Sequence, residues 1–211
     1  IGELSAGDRE YQDFFREEAR LNGLEILSEV LLEQGTPDSD LVRRLERLRD
    51  AMPDALVYCG FGLMSHRLNA ALSELGWDPP KYMNAAIMWA VQSGEWAAAL
   101  EGWIGIEQCP DFAPETANPN ALALLARFER RFERRVEHVM VPLAYDQMRV
   151  AMEGLARASS LTPQGVKVGL ERIRMMPCAL GGPRTYISLG PYDHRAYKGD
   201  YLLMKQMRGG A

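Results

Sequence analysis

Few residues in this chain have the type and spacing that side-chain chemistry requires. Asp193 and His194 are adjacent in "GPYDHRAYKGDY" (190–201) and could form an acid–base pair. Neighbours on a turn rarely face one substrate atom, however, and an Asp in such a loop ordinarily caps its own backbone. Cys59, Cys109 and Cys178 stand at no metal or redox spacing, and His66, His138 and His194 have no carboxylate or Cys at ligand spacing. The thiols are expected to be reduced and buried, and no metal site is expected. The sequence has no G-x-G-x-x-G, no Walker loop, no G-x-S-x-G and no H-E-x-x-H. "GFG" (Gly60 to Gly62) is too little by itself for a phosphate loop. No catalytic residue and no cofactor are expected.

Placement carries more than residue type. In open α/β sheets, ligands lie beyond the carboxyl ends of the strands. Those ends are read at Leu4 to Gly7, Cys59 to Gly62 and Asn84 to Met88. Phe61 stands at the top of a buried strand, where its ring could cover a ligand, and Gly60 and Gly62 allow close backbone approach. The helix start near Leu63 would offer N–H groups to an anionic ligand group. Ala85 and Ala86 would form a small apolar wall.

The elements that must position these residues alternate. Tyr11, Phe14, Phe15 and Ala19 recur at helical spacing, and Gly23 stops that helix. "LEILSEVLLE" (24–33) reads as a strand. Thr36-Pro37-Asp38 starts a helix with Leu41, Leu45 and Leu48 inward. "ALVYCG" (55–60) is a continuous apolar run suited to a strand covered on both faces. Met64, Leu68, Ala71, Leu72 and Leu75 make the next stripe, and "KYMNAAIM" (81–88) the next strand. Such alternation implies βαβ units and a parallel sheet. Before the first helix only Ile1-Gly2 could be the tail of a strand, so the chain reads as a fragment that opens inside a motif.

The remainder differs. "EGWIGIEQ" (101–108) reads as a strand, and Asn118-Pro119 opens a helix with Leu125, Phe128, Phe132 and Val136 on one face. The Glu and Arg residues of "RFERRFERR" fit a solvated, self-paired face. The next helix carries Ala144, Met148, Ala151, Met152 and Leu155 as a stripe, its methionines read as core filler. Thr162-Pro163 caps another, with Val166, Leu170 and Ile173 inward. "RTYISLG" (184–190) and "GDYLLMKQM" (199–207) read as two strands joined by a loop. Composition is that of a globular domain: 211 residues, 47% hydrophobic and 25% charged, with a net charge of −5. That balance argues against a nucleic-acid partner. No apolar run approaches the roughly 18 residues that span a bilayer, so no direct membrane insertion is expected.

The succession "DREYQDFFREEARLNGLEI", "PDALVYCGFGLMSHRLNAALSELGWDPPKYM", "VPLAYDQMRVAMEGLARAS" and "DHRAYKGDYLLMKQM" resembles the type I periplasmic solute-binding proteins of ABC importers. The nearest group is the branched-chain amino-acid receptors and their relatives for amides, urea and aromatic acids. The resemblance implies an α/β fold, a Rossmann-like parallel sheet lobe plus part of a second lobe, in truncated form. It places the second ligand-binding lobe at 1–90, a crossing and the C-terminal helices of the first lobe at 91–190, and the final crossing hairpin and strand at 191–211. The first lobe's N-terminal sheet has no counterpart here.

It further implies hinge closure of two lobes on a small-molecule solute, and delivery to the transmembrane permease subunits of an ABC importer. It implies a periplasmic or extracellular location, with or without a lipid anchor. Phe61 matches the family's aromatic contact. The loop that often carries a Tyr before a Gly reads Ser5-Ala6-Gly7, and the loop that often presents an acid to an ammonium reads Asn84-Ala85-Ala86-Ile87. A buried ammonium without a partner is costly, so within the implied range of a small polar or carboxylate-bearing solute (amino acid, amide or aromatic acid) a less charged or carboxylate-bearing one, aromatic acids included, fits better. A cytoplasmic ligand sensor of the same fold is the alternative reading, and a Rossmann-like enzyme the third.

Overall fold

The computed structural model describes residues 1–4, 6–60, 64–84, 87, 99–108, 118–136 and 140–209. The chain divides into two compact units, Ile1–Ile106 with Met204–Ala211, and Glu107–Leu203. The first thus extends past residue 90 and takes back the end of the chain.

Unit 1 is built on parallel strands. β1 (Gly2–Glu3) pairs with β2 (Leu31–Leu32), and Gly2 bridges to Cys59 beyond β3 (Leu56–Tyr58). β3 pairs in parallel with β4 (Lys81–Met83), and β4 with β5 (Ile104–Glu107). β9 (Leu203–Gln206) completes the order β3-β4-β5-β9. The chain therefore leaves unit 1 along β5 and returns along its sheet neighbour.

The apolar runs behave as their periodicity requires. In α2 (Asp38–Asp50), Leu41, Leu45 and Leu48 are buried at i, i+4 and i+7. Its acidic first turn (Asp38, Asp40) and basic last turn (Arg47, Arg49) complement the helix dipole. α3 (Ser65–Glu74) buries Leu68, Ala71 and Leu72 in the same core as Tyr58 and Met83. Trp103 is fully buried, meets Tyr58 edge-on at 6.3 Å, and satisfies its indole N–H on Asn69 Oδ1 at 3.1 Å.

Three readings of unit 1 are corrected. α1 (Ala6–Leu21) forms and ends before Gly23, which has φ +71°. Its expected stripe holds in part: Ala19 is buried as expected, but Tyr11 and Phe14 are exposed and Gln12 is buried instead. Gln12 sets that rotation: its side-chain amide donates to the Glu3 carbonyl at 2.9 Å, and it occupies the space where a side chain on Gly2 would lie. The strand expected over 24–33 shrinks to Leu31–Leu32, because its partner among the described residues, β1, is two residues long. The strand expected to reach Met88 ends at Met83.

Unit 2 pairs helices with a small antiparallel sheet. α4 (Pro119–Phe132) is capped by Asn118, whose side chain accepts from the Asn120 N–H, and ends at Glu133 in the left-handed conformation (φ 55°). α5 (Met140–Ala156) and α6 (Pro163–Leu170) pack through glycines. A Cβ on Gly169 would run into the Gly154 carbonyl and come within 2.8 Å of the Ala158 nitrogen. That close crossing explains why α5 buries Pro142, Asp146 and Gly154, not the expected stripe. Met148 (62% exposed), Met152 (66%) and Leu155 (49%) face outward. On α4 the buried positions are Ala121 and Leu124, whereas Phe132 is exposed and its ring lies tilted against Phe128, centroids 4.6 Å apart. The charged run beyond it supplies one long ion pair, Arg135 to Glu129 at 3.8 Å, among the described residues.

The closing hairpin is also corrected. β7 (Tyr186–Ile187) pairs with β6 (Met176–Pro177) on one side and β8 (Tyr197–Lys198) on the other, both antiparallel. The hairpin partner thus lies inside the segment read as loop, and β9 joins the parallel sheet of unit 1 instead.

Candidate ligand-binding rim at the strand ends of unit 1

The carboxyl ends of β1 and β3 lie side by side, because Gly2 bridges to Cys59 and the Glu3 N–H donates to the Cys59 carbonyl at 3.3 Å. This register brings Glu3 against the residue that follows, Gly60. Glu3 is buried, 8% exposed. Its Oε1 accepts from the Tyr58 hydroxyl in a short hydrogen bond, and from the Met64 N–H at 3.2 Å. Tyr58 ends β3 and Met64 precedes α3, so one carboxylate oxygen ties the strand to the helix start.

Gly60 is required by these same side chains. A Cβ there would stand 2.7 Å from the Tyr58 hydroxyl and 2.9 Å from both Cγ and Cδ of Glu3. The room beside Gly60 is taken from within the protein. The N–H expected at the helix start is likewise engaged: Met64 gives it to Glu3, so an anionic ligand group would find it occupied by an internal carboxylate. At the end of β4, the Asn84 N–H reaches back to the Tyr58 carbonyl at 3.3 Å.

Of the residues singled out in the sequence, the structure brings Gly60 to this rim. Ala6 is the first residue of α1. Ser5, Phe61, Gly62, Ala85 and Ala86 lie outside the described residues. Glu3, Tyr58 and Met64 were missed as a group. The available signal was an acidic residue in the tail of a buried strand, where it must find donors.

A cavity of unit 1 lies away from this rim, on the α1 face toward the amino end of β3. It encloses about 480 Å³ and is lined by Ile1, Phe15, Ala19, Leu24, Pro53 and Val57 among others. The Arg16–Glu29 ion pair (2.8 Å) stands at its edge and holds the Glu29 carboxyl below its ordinary pKa.

Unit 2 gives the suspected acid and base separate partners. Asp193 accepts from the Arg195 guanidinium at 3.1 Å, from Lys198 Nζ at 2.6 Å and from the Arg195 backbone at 3.0 Å, and these donors hold its pKa far below the usual carboxylate range. His194 turns instead to Glu171, 3.0 Å away. The two therefore do not form an acid–base pair.

A buried polar cluster stands nearby in the same unit. Asp146, fully buried, accepts from the Ala179 N–H at 2.8 Å and the Leu180 N–H at 3.0 Å, and from the Tyr197 hydroxyl at 3.3 Å. Asn118 donates to the carbonyls of Cys178 (2.9 Å) and Leu180 (3.3 Å), so both polarities of that backbone turn are satisfied by side chains. Burial raises the Asp146 pKa against the pull of its donors, and pushes the Cys178 thiol up to about 12. Such a thiol is an inert structural group. Cys59 is also buried and outside any disulfide among the described residues, and Cys109 lies outside those residues. Among the described residues no cluster of three His, Cys, Asp or Glu side chains could hold a metal ion, and no helix is long and apolar enough to cross a membrane.

The family model for periplasmic binding proteins matches residues 1–210. The chain belongs to this family. Solved structures agree on the fold. A type 1 periplasmic binding protein from Bordetella pertussis superposes with a TM-score of 0.77 at 18% identity, over 97% of this chain and 56% of that one. A leucine binding protein from Thermotoga maritima gives 0.71 at 17% identity, over 95% and 53%. An ABC transporter substrate-binding protein from Desulfitobacterium hafniense, in complex with Leu, gives 0.73 at 15% identity, over 100% and 57%. This periplasmic binding protein chain thus spans little more than half the length of these structures. No curated protein matches it. The parallel α/β sheet and the resemblance read from the sequence both accord with this family and fold.

Proposed function

We propose that the protein is a solute-binding receptor, not an enzyme. It binds a small polar or carboxylate-bearing solute, an amino acid, amide or aromatic acid, and encloses it by hinge closure. It acts outside the cytoplasm and hands the solute to the permease subunits of an ABC importer. The observation that carries this reading is the match of the family model over residues 1–210. The strand-end rim of a parallel sheet, where α/β folds hold ligands, supports it. So do the separate partners of Asp193 and His194.

On this reading Phe61 stacks on the solute, Gly60 and Gly62 shape the backbone next to it, and Ser5, Ala6, Ala85 and Ala86 line the remaining wall. Calorimetry of the full-length protein against amino acids, amides and aromatic acids tests it. One member of the panel should bind with micromolar affinity or better and be recovered unchanged. Phe61→Ala should weaken that binding by about tenfold to a hundredfold, the worth of one well-placed aromatic contact. Turnover of any bound compound would overturn the receptor reading, and wild-type affinity in Phe61→Ala would remove that residue from the site.

A further inference from the structure

We propose that Asn22 is a self-modifying site: its side chain cyclises onto the Gly23 nitrogen, sheds ammonia and leaves an aspartyl or isoaspartyl residue at the end of α1. The proposal stands apart from the receptor reading. Five asparagines occur in the sequence, and Asn22 alone among them precedes a glycine. Asn118 precedes Pro119, which has no N–H, and Asn69, Asn84 and Asn120 precede alanines, whose methyl group crowds an attacking nitrogen. Asn22 and Gly23 are both exposed, and a Cβ on Gly23 would meet nothing within 4 Å, so the turn stands clear of the rest of the protein. The Gly23 N–H donates to the Arg20 carbonyl at 3.4 Å, longer than an ordinary N–H···O bond and correspondingly weak. Helix ends fray first, and the bond that must open to free the attacking nitrogen is this weak one.

The Gly23 nitrogen gives up its proton and attacks Asn22 Cγ. The N–Cγ bond forms, the Cγ–Nδ2 bond breaks, and Nδ2 departs with that proton as ammonia. Water then opens the cyclic imide. Attack at Cγ gives an aspartate, while attack at the main-chain carbonyl carbon routes the backbone through Cγ and frees the α-carboxylate. Either product puts a carboxylate, ionised at neutral pH, where the amide stood. It stands at the negative end of the helix dipole and faces Glu18, four residues back. In the unmodified chain Asn22 Nδ2 donates to the Glu18 carbonyl at 2.8 Å and lies 3.4 Å from Glu18 Oε2, so both contacts turn from donor–acceptor to acceptor–acceptor. The isoaspartyl form also lengthens the main chain inside the turn that the Leu24 N–H closes on the Ala19 carbonyl at 2.9 Å. That bond matters beyond the helix. Residues 25–29 line the cavity beside α1 and make no backbone–backbone hydrogen bond among the described residues. They are tied to α1 by this bond at Leu24 and by the Arg16 fork on Glu29, at 2.8 and 2.9 Å. Conversion of Asn22 therefore loosens one of the two anchors of the cavity wall.

The test incubates the full-length protein at neutral and at mildly alkaline pH, followed by isoelectric focusing and peptide mass mapping. The wild type should gain a form more acidic by one charge, mapped to Asn22 before any other asparagine. The gain should be faster at the higher pH, because the attacking nitrogen must lose a proton. Isoaspartyl methyltransferase should label the same peptide. In the isolated acidic form the Leu24 amide should exchange roughly tenfold faster, the worth of one hydrogen bond. Asn22→Gln keeps the amide but closes a less favourable ring, and it should stay unmodified over the same period. Modification of another asparagine first, or the same acidic gain in Asn22→Gln, would overturn the proposal. Unchanged exchange at Leu24 in the acidic form would overturn the loosening of the cavity wall.

Discussion

Replacing Asp146 by Ala removes the acceptor that holds the backbone turn at Cys178 to Leu180. The N–H groups of Ala179 and Leu180 both end on this carboxylate, and both residues are buried, at 0% and 1% exposure. Each buried donor left without a partner costs about 1–3 kcal/mol, and the half-buried Tyr197 hydroxyl can turn to water at little cost. Relief from holding a desolvated carboxylate offsets some of this, so a net loss of about 3 kcal/mol in unit 2 is expected. Asp146→Asn keeps one acceptor oxygen but turns an amide N–H₂ toward a donor, and about half that loss should follow.

The assay must report unit 2 alone. All four tryptophans of the sequence lie between Trp77 and Trp103, in unit 1. Tryptophan fluorescence in urea should therefore change little, while amide exchange at Ala179 and Leu180 should accelerate by about two orders of magnitude, the fold-equivalent of the predicted loss. The pH dependence has a definite sign. Burial raises the native pKa of Asp146 above its unfolded value. A carboxyl so shifted contributes stability that is fully present below the unfolded pKa of about 3.9 and is lost as pH rises through the native value. Asp146→Asn lacks that contribution, so its deficit against the wild type should be larger at acid pH and narrow as pH rises. A deficit under about 1 kcal/mol for Asp146→Ala, or unchanged exchange at the two amides, would refute the account.

Two other substitutions follow from close approaches. Gly169→Ala should cost about 3 kcal/mol or abolish the α5–α6 crossing, because the new methyl meets backbone on both sides and neither chain can turn away. Thermal unfolding checks it, and a neutral result would mean the helices pack otherwise. Gly60→Ala should cost about 1–3 kcal/mol through its clash with Glu3 and Tyr58. The double variant with Glu3→Ala should recover part of that loss. Additive losses in a double-mutant cycle would show that the two residues do not share the space.

Legibility in the sequence followed burial. Where an element packs against the core along a full apolar stripe, residue spacing alone located it: Leu41, Leu45 and Leu48 of α2 and Leu68, Ala71 and Leu72 of α3 lie as their periodicity demands. Where a contact is made by small or polar residues, the stripe misled. Gly154 and Gly169 draw α5 and α6 together, which turns Met148, Met152 and Leu155 outward although they form the stronger apolar pattern. Gln12 does the same to α1 through one hydrogen bond. A strand's length is not its own property either, since β2 is cut to the two residues that β1 can pair.

The rim shows the same limit in its chemistry. Gly60 was recognisable as a position needing a bare backbone, and its place after a buried strand was legible from "ALVYCG". What fills the space was not, because the filler comes from Glu3, 57 positions away in the numbering, and parallel pairing leaves no local trace of such a neighbour. A glycine facing a ligand and a glycine facing an internal carboxylate look identical in one sequence. They differ in consequence: the first leaves room beside the backbone, and the second has that room filled by the protein's own side chains. The Gly2–Cys59 bridge decides between them, since it sets the register that delivers Glu3 to Gly60. Any change that slipped β1 by one residue would move Glu3 to the opposite face of the sheet and leave Met64 without its acceptor.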